Sequence, residues 1–155
     1  LLVVRNELGP VEDVDLAKLV DERLDAIAPL VEEREVEVIA KGAGRVQCAP
    51  TALARAMDNL VRNAVEASPS GASVEIEIRS EDDRVRVWVR DRGPGFPEGR
   101  DAELFEPFFT TKGDGTGLGL PLARAAIEAH GGTLTYARKD GVTAFCINLP
   151  REQPT

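Results

Sequence analysis

The 155-residue sequence has one histidine, His130, and two cysteines, Cys48 and Cys146. A lone histidine excludes a multi-histidine metal site and limits any mechanism that needs imidazole chemistry. The cysteines lie far apart with no CxxC spacing, and they fit two buried thiols in a reducing compartment. No apolar run approaches the ~20 residues of a membrane span. The N-terminus lacks the basic region and apolar stretch of a signal peptide. Basic residues are the minority: 19 Lys+Arg face 27 Asp+Glu, for a net charge of −8. That balance argues against a general nucleic-acid binder, which carries a basic surface. The chain also begins without methionine, which suggests a piece of a longer protein.

What is present is ordinary for one soluble globular domain: 43% hydrophobic and 30% charged residues, with 14 glycines. Leu1 to Gly9 reads as the end of an upstream element plus a linker, residues 10–150 as the domain, and 151–155 as a tail. Glu12 to Val14 is a short edge strand. A helix follows from Asp15, with Leu16, Leu19, Val20, Ile27, Leu30 and Val31 on one face, Asp13 or Asp15 as the cap, and Pro29 as a kink or end. Val36 to Ala40 and Val46 to Cys48 read as strands separated by a turn at Gly42 to Gly44. Pro50 opens a second helix to Ala67, burying Leu53, Met57, Leu60, Val61 and Ala64. Val74 to Ile78 and Val85 to Val89 form a hairpin around Glu81-Asp82-Asp83. Asp91 to Gly117 is long, irregular and glycine-rich, the kind of segment that is functional or mobile. A third helix runs from Leu118 to Ala129, with Leu118, Leu122, Ala125 and Ala129 inward and Gly131-Gly132 as its stop. Thr133 to Arg138 and Val142 to Leu149 make a last hairpin, turning at Asp140-Gly141. Hairpins beside helices indicate an α+β fold with helices on one face of a mixed sheet.

Four groups of residues carry chemistry. Asn59 and Asn63 sit one turn apart on the second helix, beside its buried stripe. An amide oxygen is a hard, neutral ligand suited to Mg²⁺; the bland alternative is two solvated asparagines. Asp91-Arg92-Gly93-Pro94-Gly95 puts a carboxylate at a strand end, followed by glycines that let backbone approach a ligand. That acceptor could take the exocyclic amine of an adenine, or the segment could be a plain turn. Gly115, Gly117 and Gly119 alternate before the third helix, where free N–H groups and the helix dipole favour an anion; a flexible loop is the alternative. Lys112 precedes this run and could reach a phosphate as a point charge, or be solvated. Phe105, Phe108 and Phe109 between these groups read as packing that pins the long segment.

In this order the pieces resemble the N, G1, F and G2 boxes of the catalytic, ATP-binding domain of sensor histidine kinases, within the GHKL superfamily. Residues 10–150 carry the resemblance, and Thr110-Thr111-Lys112 is similar to the lid pattern of the nitrogen-regulation-like subgroup. It implies a Bergerat-type two-layer α/β sandwich, with a mixed, mostly antiparallel sheet, helices on one face and a mobile ATP lid. It implies ATP and Mg²⁺ as cofactors. Asn63 then resembles the Mg²⁺ ligand, and Asn59 a nearby phosphate- and metal-side contact. Asp91 resembles the adenine-reading carboxylate, with Gly93 and Gly95 permitting approach to the base and Thr143 holding the adenine end. Gly115, Thr116, Gly117, Leu118, Gly119 and Leu120 resemble the triphosphate-facing segment. Where many members carry a lysine and an aromatic after the second asparagine, this chain has Glu66 and Ala67. Arg62 and Lys112 are the candidates to substitute for that phosphate contact, and Thr111 is a further ATP-binding residue that the resemblance implies.

The implied function is transfer of the ATP γ-phosphoryl group to a histidine on a separate dimerisation domain, for relay to a response-regulator aspartate. The implied partners are that phosphoacceptor domain and a receiver domain, with no nucleic acid and no membrane contact. The implied location is the cytoplasm, with a monomeric isolated domain and a homodimeric full protein. The alternatives are an anti-sigma-type serine kinase, a GHKL ATPase, or a degenerate module that only binds a partner. GHKL hydrolases carry a glutamate base where Asn59 stands, and a neutral amide takes no proton from water at pH 7. The implied role of His130, in Ala-His-Gly-Gly, is helix-end hydrogen bonding, which leaves this chain without a phosphoacceptor histidine.

Overall fold

The computed structural model describes residues 8–106 and 119–153. The elements follow in the order β1 (Glu12–Asp15), α1 (Leu16–Glu33), β2 (Glu37–Gly42), β3 (Arg45–Cys48), α2 (Pro50–Ala67), β4 (Ser73–Ser80), β5 (Arg84–Asp91), a 3-10 turn (Asp101–Glu103), α3 (Gly119–Ala129), β6 (Thr133–Lys139) and β7 (Val142–Pro150). β1 and β3 pair antiparallel as a small ribbon, and the main sheet has the order β2-β4-β5-β7-β6. Only β2 and β4 are parallel; the other three pairings are antiparallel. The expected mixed, mostly antiparallel α+β fold is therefore what the chain adopts. The lid pattern expected at Thr110-Thr111-Lys112 lies outside the described residues.

Alternation makes the sheet two-faced. Val85, Val87 and Val89 of β5 and Phe145, Ile147 and Leu149 of β7 are buried on one face. That face receives the stripe of α2, in which Leu53, Met57, Leu60, Val61 and Ala64 are all buried as their spacing predicts. The other face carries charge. There Trp88 lies between the guanidinium groups of Arg79 and Arg90, 4.7 and 5.3 Å from its ring centre, and Arg90 pairs with Glu75 and Glu77.

Asp15 caps α1 by accepting the Lys18 N–H at 3.3 Å. Pro29 neither ends the helix nor stops its last turn; α1 continues to Glu33. It closes through Arg34 N–H to the Leu30 carbonyl and a left-handed Glu35, φ 56°, which turns the chain into β2.

In α3 the inward face differs from the expected one. Ala123, Ala126 and Ile127 are buried, whereas Leu122 is 37% exposed. Alanine and leucine at adjacent positions make the 3.6-residue period ambiguous. The tie is decided by His130, fully buried at the helix end and in phase with Ala123, Ala126 and Ile127. His130 Nδ1 lies 2.7 Å from the Ala126 carbonyl, and Nε2 accepts the Ala49 N–H at 3.1 Å. A backbone N–H can only donate and a carbonyl only accept, so these partners assign the neutral ring with its proton on Nδ1. The last residues complete the same knot. Gln153 Nε2 donates to the His130 carbonyl at 2.7 Å and its N–H donates to Gln47 Oε1 at 3.0 Å. Gln47 N–H in turn donates to the Arg151 carbonyl at 2.8 Å.

Candidate active site

α2 lies across the sheet with its polar stripe beside the start of α3. Asn59 and Asn63 are half-buried there, while Arg62, one position before Asn63, is exposed. A Cβ placed at Gly119 would lie 3.5 Å from Asn59 Oδ1. Gly119, the first residue of α3, thus stands against Asn59. Neither asparagine side chain hydrogen-bonds to a described residue. Half-buried amides without protein partners beside a helix start are available to a ligand. The adjacent carboxylate is not: Asp58 is held by Arg23 through two bonds of 2.8 and 2.9 Å, tying α1 to α2.

The opposite end of the site is built on the sheet. Asp91 closes β5 and is 2% exposed; Thr143 opens β7 and is 1% exposed. The two are register partners. Asp91 Oδ1 accepts the Gly93 N–H at 2.9 Å, an Asx-type turn that re-aims the chain after the strand. Burial pushes the Asp91 carboxyl above the ordinary aspartate range, opposed by the Gly93 N–H and by the charge of Arg138. Asp91 Oδ2 has no hydrogen-bond donor among the described residues.

The two glycines of this turn have separate jobs. A Cβ on Gly93 would meet the carbonyl oxygen of Ala67, the last residue of α2, so Gly93 lets the turn lie on the helix end. Gly95 has φ +72° and a Cβ there would come 2.7 to 2.9 Å from Cδ, Nε and Nη1 of Arg138. Arg138 is a site residue that the sequence reading missed. Its Nη1 donates to the Gly93 carbonyl at 2.9 Å and to Thr143 Oγ1 at 2.6 Å. The Asp140-Gly141 turn contained the signal, because a two-residue hairpin loop pairs Arg138 with Thr143.

Below this row an aromatic cluster supports the turn. Phe96 packs edge-on against Tyr136 and Phe145, at 5.6 and 6.3 Å, and Phe105 edge-on against Phe145 at 6.3 Å. Leu104 is fully buried. The packing role expected for Phe105 is therefore present. Phe108, Phe109, Thr111, Lys112, Gly115, Thr116, Gly117 and Leu118 lie outside the described residues. Among the described residues no three His, Cys, Asp or Glu side chains are grouped to hold a metal ion.

Comparison with known proteins bears on this geometry. Residues 48–153 match the family described as histidine kinase-, DNA gyrase B-, and HSP90-like ATPases. The chain belongs to this family. The match takes in both asparagines, the Asp91 turn, α3 and Thr143. The chain is 34% identical over 148 residues to the C4-dicarboxylate transport sensor protein DctS of Rhodobacter capsulatus, covering 90% of this chain and 22% of that protein. It therefore spans about a fifth of that relative's length. Among solved structures, the catalytic domain of histidine kinase ThkA superposes with a TM-score of 0.85 at 28% identity, covering 93% of this chain and 97% of that one. ThkA in complex with the response regulator protein TrrA superposes at 0.78 and 26% identity, covering 91% of this chain and 42% of that one. The fold and the ATPase family are thus those that the four motifs implied. Among the described residues no helix is long and apolar enough to cross a membrane.

Proposed function

We propose that this chain is the ATP-binding, phosphoryl-donating domain of a sensor histidine kinase. The observation that carries the reading is the pairing of a buried carboxylate, one oxygen of which has no donor among the described residues, with two asparagine amides of α2 that have no partner among the described residues and lie beside the start of α3. The first suits the exocyclic amine of adenine, the second a phosphate-bound Mg²⁺.

ATP with its Mg²⁺ supplies the γ-phosphoryl group and the neutralisation of its charge when bound. Asp91 orients the base end as an acceptor, and Thr143 flanks it. Asn63, with Asn59 beside it, offers hard amide oxygens on the phosphate side. Asn63 and Asn59 would hold a Mg²⁺ with one or two amide oxygens, which is the number a protein ordinarily supplies to that ion. Arg62, Thr111, Lys112 and the 115–120 segment complete the phosphate side. Phosphoryl transfer needs mainly positioning and electrostatic stabilisation, which such a site provides without a covalent group of its own.

Transfer is favoured over hydrolysis. A hydrolase needs a base to activate water. Asn59 cannot take that proton, and the carboxylate next to it, Asp58, is engaged by Arg23 on another face. The acceptor is a histidine on a separate dimerisation domain, which passes the group to a response-regulator aspartate. The domain acts in the cytoplasm, as a monomer when isolated and within a homodimer in the full protein.

Incubation of this chain with labelled ATP, Mg²⁺ and a separately supplied phosphoacceptor-helix domain tests this. Label is expected on the acceptor histidine and not on this chain. Steady phosphate release with no acceptor labelling overturns the reading.

A further inference from the structure

Asp91, Thr143 and Arg138 stand in one row across β5, β7 and β6, because Thr143 is the register partner of both others. Arg138 comes from the edge strand and reaches back over the row. Its Nη1 bridges two neutral acceptors, the Gly93 carbonyl and Thr143 Oγ1, and it forms no ion pair with a described residue. A Cβ at Gly95 would come 2.7 to 2.9 Å from Cδ, Nε and Nη1 of Arg138, so a side chain there would displace the arginine from this position. The glycine of the turn therefore makes room for this arginine.

A hydroxyl has one proton to give and two lone pairs to accept with. At Thr143 the guanidinium occupies one acceptor position, and its positive charge turns the hydroxyl dipole so that the proton points away from Arg138. Thr143 forms no hydrogen bond with Asp91. The threonine thus presents a donor to the site, and beside it Asp91 presents an acceptor, since its Oδ1 is taken by Gly93 and its Oδ2 has no donor among the described residues. A donor next to an acceptor complements the edge of a 6-aminopurine, where N1 accepts and N6 donates. It opposes the edge of a 6-oxopurine, where N1–H donates and O6 accepts. Specificity of this kind comes from leaving the wrong base with unpaired or like-facing groups.

We propose that Arg138 is a positioning residue that fixes the polarity of Thr143 and so makes the site select 6-aminopurine over 6-oxopurine nucleotides. This rests on the nucleotide reading above. It adds a determinant that touches the recognition groups and not the base.

Calorimetric titration of the chain with Mg-ATP and Mg-ITP provides the test, since inosine reverses the edge at both positions and changes nothing else. Wild type is expected to bind ATP more tightly than ITP. Arg138→Met is expected to lower the ATP-to-ITP affinity ratio at least fivefold, with Arg138→Lys closer to wild type. Thermal melts check that each variant is folded, and Arg138→Gln takes the place of the methionine variant should that one not fold. A smaller change in the ratio, or a wild type that prefers ITP, overturns the role of Arg138. A wild type that binds neither nucleotide overturns the nucleotide reading itself, which is a different result.

Discussion

The Nε2 atom of His130 accepts the backbone N–H of Ala49 at 3.1 Å, so the end of α3 is fastened to the start of α2. Ala49 precedes Pro50, and no side chain caps that helix. The imidazole does part of the capping from 81 positions away in sequence. His130→Leu leaves the Ala49 N–H and the Ala126 carbonyl without their partners. Each such buried group costs about 1–3 kcal/mol, so the variant is expected to lose about 2–6 kcal/mol in denaturant titration. The same burial keeps the ring from accepting a phosphoryl group. Mass spectrometry of the isolated chain after incubation with Mg-ATP is expected to find His130 unmodified.

Gly93→Ala drives a methyl group into the Ala67 carbonyl. Overpacking of this kind costs about 1–3 kcal/mol. The strain falls between α2, which holds the asparagines, and the turn that holds Asp91. Nucleotide affinity is therefore expected to fall about tenfold, together with the melting temperature. Gly99→Ala, where a Cβ meets nothing within 4 Å but φ is +81°, is the control: it strains the backbone without touching α2, and affinity is expected to be unchanged.

Asp91→Asn separates stability from function. The carboxyl of Asp91 titrates above its unfolded value because burial disfavours its charge. Between the unfolded and folded values the native state holds more protons, so stability falls as pH rises through that window. The neutral amide removes the cost, and Asp91→Asn is expected to melt higher than wild type at pH 7. Affinity for nucleotide is expected to drop by tenfold or more, since a hydrogen bond to a charged group contributes about 1.5–3 kcal/mol. Adenosine, which has no phosphate to titrate, isolates the pH effect. Its binding to wild type is expected to weaken as Asp91 takes up its proton on acidification, and any binding to the variant is expected not to follow that titration.

Asn63→Ala is expected to lower Mg-ATP affinity while leaving adenosine affinity within twofold of wild type. The half-buried amide has no partner among the described residues, so its loss leaves no protein group unsatisfied. Paired calorimetric titrations read the difference. Equal losses for both ligands would mean that Asn63 supports the fold and not the phosphate side.

Much of this was legible in sequence because each signal was local. Pro50 at a helix start, the alternating valines of β5 and the Asp140-Gly141 turn each specify their own element. Asn59, Asn63 and Asp91 were legible because polar residues beside buried stripes are poorly explained by folding alone. Arg138 was missed because its importance arises from pairing across the hairpin and from a contact with Gly95, 43 positions away by numbering. The burial of α3 was misread because Leu122 and Ala123 both satisfy a helical period, and only the placement of His130 selects between them. Pro29 reads as a kink or end, yet α1 continues past it to Glu33.

The sequence has a single tryptophan, Trp88. Its indole is clasped by two arginines on the charged face of the sheet, whereas Asp91 and Thr143 open on the other. Intrinsic emission therefore watches the sheet from behind. It should change sharply when β4 and β5 come apart and stay nearly constant as the site fills. For this chain the natural fluorophore is a gauge of denaturation, and a reporter of occupancy has to be introduced on the helical side.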